Sequence, residues 1–167
     1  MNHQNFSPRF LILLSCTFLL LSGCFEANQT TLLTPSSQKL KIRLALTEEE
    51  KAQGLSRVKS LPENEGMIFV YSEPQVLNFW MKDCYISLDM LWLDSDGTIK
   101  QIAENVPPAP PGTPTHLIPT RSGYGQYVLE LAGGASEKLR LKSGMKLTFE
   151  EDLMPLLSQA QKTQPPQ

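Results

Sequence analysis

The apolar residues of this chain occur in short runs beside turn-forming residues, and this pattern restricts the fold more than any other feature. Residues 39–46 read KLKIRLAL, in which apolar and polar residues alternate with the two-residue period of a half-buried strand. Further strand-length runs occur near Gly, Pro or Asp at 67–71, 76–82, 90–93, 98–102, 127–131 and 145–150. The sequence therefore predicts a single all-β domain, a sandwich or barrel, with one or two short helices.

Local signals mark where several of these elements begin and end. Thr47 and Glu50 have the spacing of a capping box before a short helix that ends at Gly54. Residues 94–97 read DSDG, and this Asp-Gly pair favours the positive φ angles of a tight hairpin turn. A second short helix is predicted at residues 135–141.

Two segments lack any periodic pattern. Residues 107–114 read PPAPPGTP, and five prolines predict a stiff extended loop within residues 105–123, since proline cannot donate to a sheet ladder. Residues 152–167 end in KTQPPQ and are predicted to form a disordered tail.

The N-terminus has the features of an export signal. Residues 10–21 are mostly apolar and follow Arg9, but the run is shorter than the roughly 20 residues of a transmembrane helix. The following residues 21–24, LSGC, resemble a bacterial lipobox. We therefore expect residues 1–23 to be a cleaved lipoprotein signal peptide, Cys24 to carry lipid, and residues 24–38 to be a flexible tether. The folded domain is then held at the cell membrane or outer membrane, outside the cytoplasm.

Charge and motif content argue against several classes of function. The chain has 15 basic and 17 acidic residues, so it lacks the strong positive charge expected of a nucleic-acid-binding protein. Cys84 is the only cysteine after residue 24, which leaves no partner for a disulfide. The sequence shows no Cys-x-x-Cys, no His-x-x-x-His and no Gly-rich phosphate loop, and it predicts no metal site and no cofactor.

The segment at residues 76–83 mixes apolar and charged residues. At a two-residue period, Asn78, Trp80 and Lys82 share one face of a strand, while the apolar residues between them face the core. This outward face is interpreted either as a solvated surface or as the floor of a binding cleft. An aromatic ring beside polar groups suits a glycan or a peptide.

Two aspartates bracket the next connection and also allow two interpretations. Asp83 and Asp89 could accept backbone amides at strand ends, which is a structural role. Alternatively, a hydrolase could use Asp83, Asp89 or Glu104 as its acid or base. Cys84 is interpreted as a small core residue, because activating its thiol would require a nearby base.

A longer set of motifs resembles a known family. In chain order, the chain has GLS at residues 54–56, LPENEGMIFV at 61–70, FWMKD at 79–83, ISLDMLWLD at 86–94 and VLEL at 128–131. These motifs, spread over residues 39–151, resemble the bacterial and archaeal domain of unknown function 192. The resemblance implies a compact β-sandwich or barrel with small helices and implies no particular activity. Asp83-Cys84 departs from the Asn-Thr that is usual at this place in the family.

The leading hypothesis is a non-catalytic, lipid-anchored binding module of the cell envelope. Its recognition surface is expected on the face of Asn78, Trp80 and Lys82, under the loop at residues 105–123. Its candidate ligand-binding residues are Asn78, Trp80, Lys82, Asp89, Asn105, His116, Arg121 and Tyr124. The expected partners are the membrane, through the lipid on Cys24, and an envelope glycan, peptide or protein. A hydrolase of an envelope polymer and a structural accessory lipoprotein are the alternatives.

Overall fold

The computed structural model describes residues 28–163, so the predicted signal peptide and Cys24 lie outside the described residues. The strands are β1 (Gln29–Leu33), β2 (Lys39–Ala45), β3 (Glu65–Trp80), β4 (Leu88–Leu93), β5 (Ile99–Val106), β6 (Thr120–Ala132) and β7 (Thr148–Phe149). The α-helices are α1 (Glu48–Gln53), α2 (Ala135–Lys138) and α3 (Leu153–Thr163), and Thr115–Leu117 forms a 3₁₀ turn. Within residues 28–163, no helix is long and apolar enough to cross a bilayer.

The strands form one sheet in the order β5-β4-β6-β3-β2-β1-β7, which confirms the predicted all-β single domain. β2 and β3 are parallel, and the other neighbouring strands are antiparallel. The chain crosses from β2 to β3 through α1, which begins at the predicted capping box. The Thr47 hydroxyl accepts a hydrogen bond from the Glu50 amide, and the Glu50 carboxylate accepts one from the Thr47 amide.

The two central strands bend back over the sheet. The register of β3 against β6 shifts between Val70 and Gln75. Phe69 and Phe79 would lie about 33 Å apart in a straight strand, yet their ring centroids are 4.7 Å apart. Residues 75–80 and 120–125 therefore form a two-stranded ribbon, here called the outer ribbon, that covers one face of the sheet. The prediction of two strands separated near residue 73 is wrong, because a bulge bends one strand without ending it.

The sheet has an apolar core on each of its faces. The first core includes Ile42, Leu91 and Leu129 and is covered by α3. The second core lies under the outer ribbon and contains Trp92, whose indole Nε1 donates to the Leu77 carbonyl at 3.2 Å. The outer ribbon thus buries its inner face and leaves its outer face to solvent.

Both predicted flexible ends contain regular structure among the described residues. β1 lies inside the predicted tether at 24–38 and pairs with both β2 and β7, and its Leu32 is fully buried. α3 lies inside the predicted tail at 152–167 and buries Leu153 and Leu157 against the first core. These two predictions are wrong for these residues, because the apolar side chains find partners on distant strands.

The central segment predicted as irregular, 105–123, is also shorter than expected. β5 continues to Val106, and β6 already begins at Thr120. The final strand is shorter than predicted, since only Thr148–Phe149 of the predicted 145–150 forms β7. Residues 107–119 remain outside the strands, as the prolines predict.

Gly123 of the outer ribbon lies against the Trp92 ring, which predicts a measurable cost for any side chain there. A Cβ added at Gly123 would come 2.5 Å from the indole ring, so the ribbon or the ring must move. We expect Gly123→Ala to lower the free energy of unfolding by about 1–3 kcal/mol, as overpacking does in other cores. Chemical denaturation measures this change. Thr120→Ala, at an exposed position of the same strand, is the matched control, and an equal loss in both variants would contradict the packing argument.

Candidate functional site

The outer face of the outer ribbon carries an unusual density of exposed large side chains. Val76 is 65% exposed, Trp80 53% and Tyr124 57%. The strand register places Val76 opposite Tyr124, Asn78 opposite Ser122 and Trp80 opposite Thr120. Opposed residues of antiparallel strands share a face, so these side chains form one surface, here called the ribbon face.

Lys82 extends the ribbon face beyond the end of β3. Its Nζ lies 5.0 Å from the centroid of the Trp80 ring, which is within range of a cation–π interaction. The Ser122 hydroxyl donates a hydrogen bond of 2.5 Å to the Asn78 side-chain oxygen. The alternation in the sequence correctly placed Asn78, Trp80 and Lys82 on one side.

Trp80 and Lys82 lie on an exposed surface of the ribbon face. Neither Trp80 nor Lys82 lines any of four surface depressions of about 320–570 Å³ in the described part of the chain. The depression of about 570 Å³ lies between residues 35–38 and 138–145. An exposed ring on a β-ribbon presents its apolar surface to a partner, and the neighbouring ammonium and amide supply polar contacts.

The proline-rich segment between β5 and β6, residues 107–119, runs beside the end of β3. Ala109 forms backbone bridges with Lys82 and Cys84, and the Met81 amide donates to the Pro119 carbonyl at 3.0 Å. These contacts attach the segment to the backbone at one end of the ribbon face. His116 is exposed within this segment.

Two candidate residues near the outer ribbon have different environments. Tyr124 belongs to the ribbon face, as proposed. Arg121 pairs with Phe79, so the register places it on the opposite side of the ribbon from Trp80, although it is exposed. Its guanidinium donates to the Thr120 carbonyl at 2.9 Å. The proposed grouping of Arg121 with Trp80 is therefore corrected, because the two-residue period reverses its direction.

Asp89 has a structural role, which corrects its assignment as a ligand-binding residue. Its side chain is fully buried. Its Oδ1 accepts hydrogen bonds from the amides of Asn105 (2.7 Å) and Gly134 (3.0 Å), and its Oδ2 accepts from the amide (2.8 Å) and hydroxyl (2.5 Å) of Ser136. The carboxylate joins β4 to the end of β5 and to the start of α2. Asn105, with φ +47, contributes its backbone amide to this junction.

The other two residues of the hydrolase alternative, Asp83 and Glu104, have different environments. Asp83 is half-buried with φ +58, and its carbonyl accepts from the Arg57 amide at 2.8 Å. Glu104 is exposed on β5. Burial, followed by the charges of Glu130 and Asp83, raises the pKa of the Cys84 thiol to about 12, so the thiol stays protonated at neutral pH. The interpretation of Cys84 as a core residue agrees with this environment.

Glu130 is the residue that the sequence analysis missed. It lies on β6 with 4% exposure, on the side of the sheet that carries the second core. Burial raises the pKa of its carboxyl group to about 8, while the charge of Arg43 acts in the opposite direction. Among residues 28–163, no hydrogen bond and no ion pair within 4.0 Å involves this carboxyl group. The single Glu within VLEL does not reveal that its carboxyl group is buried without a partner, because the sequence pattern identifies only a buried strand.

These observations define a class of protein: a small all-β domain with an exposed aromatic ribbon face and a buried carboxyl group that finds no partner among the described residues. A family model described as an uncharacterized ACR, DUF192, matches residues 31–149. The chain therefore belongs to the DUF192 family, as its motifs predicted. A search of curated proteins found no match.

Two solved structures resemble this fold over most of the domain. A candidate transcription regulator from Sinorhizobium meliloti 1021 is 31% identical, with a TM-score of 0.62 over 72% of this chain and 92% of the other. A protein of unknown function from Novosphingobium aromaticivorans DSM 12444 is also 31% identical, with a TM-score of 0.60 over 72% of this chain and 83% of the other. Both similarities support a shared domain architecture.

Proposed function

We propose that this protein is a lipid-anchored binding module of the cell envelope, which recognises a glycan or peptide on its ribbon face. The sequence of residues 1–24 supports export and lipid attachment at Cys24. The exposed ring of Trp80 with the Lys82 ammonium above it is the single observation that carries the recognition part.

The chemistry of the ribbon face favours a partner with both flat apolar and polar parts. Trp80 and Tyr124 offer ring surfaces to a sugar ring or an extended peptide, and Lys82 offers a positive charge. The Asn78–Ser122 pair retains a free amide group toward solvent because only the Asn78 oxygen is engaged with Ser122.

The description of the Sinorhizobium relative raises DNA binding as another function. The composition of this chain argues against it, since 15 basic residues are outnumbered by 17 acidic ones. The ribbon face itself carries one charged residue, Lys82, among the residues named above. We therefore keep an uncharged or acidic envelope polymer as the proposed partner.

Binding of soluble cell-wall fragments to the purified full chain in detergent tests the recognition surface. We expect Trp80→Ala to weaken binding of glycan or peptide fragments by about tenfold or more, because truncation of a central aromatic residue removes much of an interface's energy. Lys82→Ala should weaken binding of acidic fragments most. Lys39→Ala, which removes an exposed lysine of β2, is the control and should leave binding unchanged. Equal binding by the wild type and Trp80→Ala would rule out the ribbon face as the recognition surface.

Membrane attachment is tested separately through the cysteine. Cys24→Ala should abolish incorporation of a labelled fatty acid and release the exported domain from the membrane fraction, because the acyl chains provide the attachment. The control is Cys84→Ala, which removes a buried thiol and should keep both properties. Unchanged labelling of Cys24→Ala would contradict the anchor.

A further inference from the structure

Three side chains with metal-binding atoms lie in a row across the second face of the sheet. Met67 of β3 and Met90 of β4 are both register partners of Glu130 on β6, one on each side. Side chains directly opposed in antiparallel strands have Cβ atoms about 4.5–5.5 Å apart. Two thioether sulfurs can therefore reach the same carboxyl group from opposite sides.

Within residues 28–163, the carboxyl group in this row has no hydrogen-bond or ion-pair partner. Glu130 is 4% exposed, and Arg43, which lies beyond Met67 in the same row, forms no ion pair with it within 4.0 Å. Thr30 Oγ1 is the only fully shielded side-chain oxygen or nitrogen without a partner in the described part of the chain. The Glu130 oxygens, which also lack a partner, therefore keep a small contact with solvent. A carboxylate at such a position is costly to bury unless a proton or a cation neutralises it.

More sulfur atoms lie in the same core. Of the five methionines within residues 28–163, Met67, Met81 and Met90 belong to the second core, as does Cys84. The Glu130 charge acts on the Cys84 thiol, so this sulfur lies in the electrostatic environment of the carboxyl group. Methionine has three rotatable side-chain bonds, which allow its sulfur to adjust its position.

We propose that Met67, Met90 and Glu130 form a binding site for a soft monovalent metal ion, Cu(I), with Cys84 as an adjacent sulfur. Thioether ligands select Cu(I) over the harder cations that carboxylates and water prefer. The single negative charge of Glu130 balances the single positive charge of the ion. This site is separate from the ribbon face and does not depend on the function proposed for it.

The full chain with Cys16→Ser and Cys24→Ser, which removes competing N-terminal thiols, is suitable for the test. The protein labelled with ¹³C at the methionine methyl groups is titrated with Ag(I), a redox-stable substitute for Cu(I). We expect the methyl resonances of Met67 and Met90 to shift until about one ion per chain is bound, and those of Met145 and Met154 to stay constant. Constant Met67 and Met90 resonances would overturn the proposal, whether or not any variant folds.

Competition with a chromophoric Cu(I) chelator under anaerobic conditions measures affinity. Glu130→Gln should weaken Cu(I) binding by roughly tenfold or more, and Met67→Leu with Met90→Leu should remove it. Met145→Leu with Met154→Leu is the matched double control and should bind as the wild type does. Thermal unfolding of the metal-free variants checks that each is folded. If Cys84→Ser lost binding while Met67→Leu with Met90→Leu bound Cu(I) as the wild type does, the thiol alone would hold the ion. That result would overturn the proposed site.

Discussion

Replacing Asp89 by Asn is expected to lower the free energy of unfolding by about 3–5 kcal/mol, which is the scale of breaking a buried charged network. The four hydrogen bonds to its two oxygens come from three separate positions, Asn105, Gly134 and Ser136. An amide group at residue 89 keeps one accepting oxygen and turns an NH₂ group toward N–H donors. The two donors that faced the replaced oxygen then lose their acceptor.

Urea denaturation of the two proteins at neutral pH measures this loss. Asp94→Asn is the control, because Asp94 is a partly exposed aspartate just beyond the other end of β4, where it pairs with Lys100 at 3.5 Å and accepts a hydrogen bond from the Ser95 amide. That variant should lose less than about 1 kcal/mol, as surface ion pairs contribute little. A similar small loss in Asp89→Asn would show that solvent can replace the backbone donors at this junction.

Replacing Glu130 by Gln is expected to change how stability depends on pH. The pKa of Glu130 is raised by burial from 4.5 to about 8 in the folded protein. Between these two values the folded chain holds a proton that the unfolded chain has released, so the stability contributed by this group falls as the pH rises from about 4.5 to about 8. This contribution is fully present below about pH 4.5. Above about pH 8 it has been lost and changes no further. The free energy at stake is on the order of 3–5 kcal/mol.

The measurement compares the free energies of unfolding of the wild type and Glu130→Gln from about pH 5 to about pH 9. We expect the variant to gain stability relative to the wild type as the pH rises, because Gln is neutral throughout. Burial also raises the pKa values of Tyr71 and Cys84, each to about 12, so neither group titrates in this range. Glu137→Gln, which removes an exposed carboxylate on α2, controls for the loss of one negative charge. A pH-independent difference between the wild type and Glu130→Gln would contradict the raised pKa.

Several parts of the fold could be predicted because their signals are local. The alternation of β2, the capping box of α1 and the Asp-Gly turn before β5 each depend on residues close together in the chain. The inward and outward faces of residues 76–82 also follow from a two-residue period. The tether and tail predictions failed because β1 and α3 are stabilised by residues far from them in sequence.

In the candidate site, too, local features could be predicted from the sequence and long-range contacts could not. The sequence placed Trp80 and Lys82 together, since neighbours at a two-residue spacing share a face wherever a strand forms. It could not separate the two roles allowed for Asp89, because Gly134 and Ser136 are more than 40 residues away.

The sequence by itself determined an all-β chain, its family and the outward face of the outer ribbon, because strand periodicity and turn chemistry act over a few residues. Only the tertiary structure decided that β3 bends back over the sheet, that Asp89 is an internal junction, and that Met67 and Met90 lie beside Glu130. Met67, Met90 and Glu130 come from three strands, and only the pairing of these strands brings the three residues together. Burial then raises the pKa of Glu130 and so sets its charge, and burial depends on the surrounding tertiary structure.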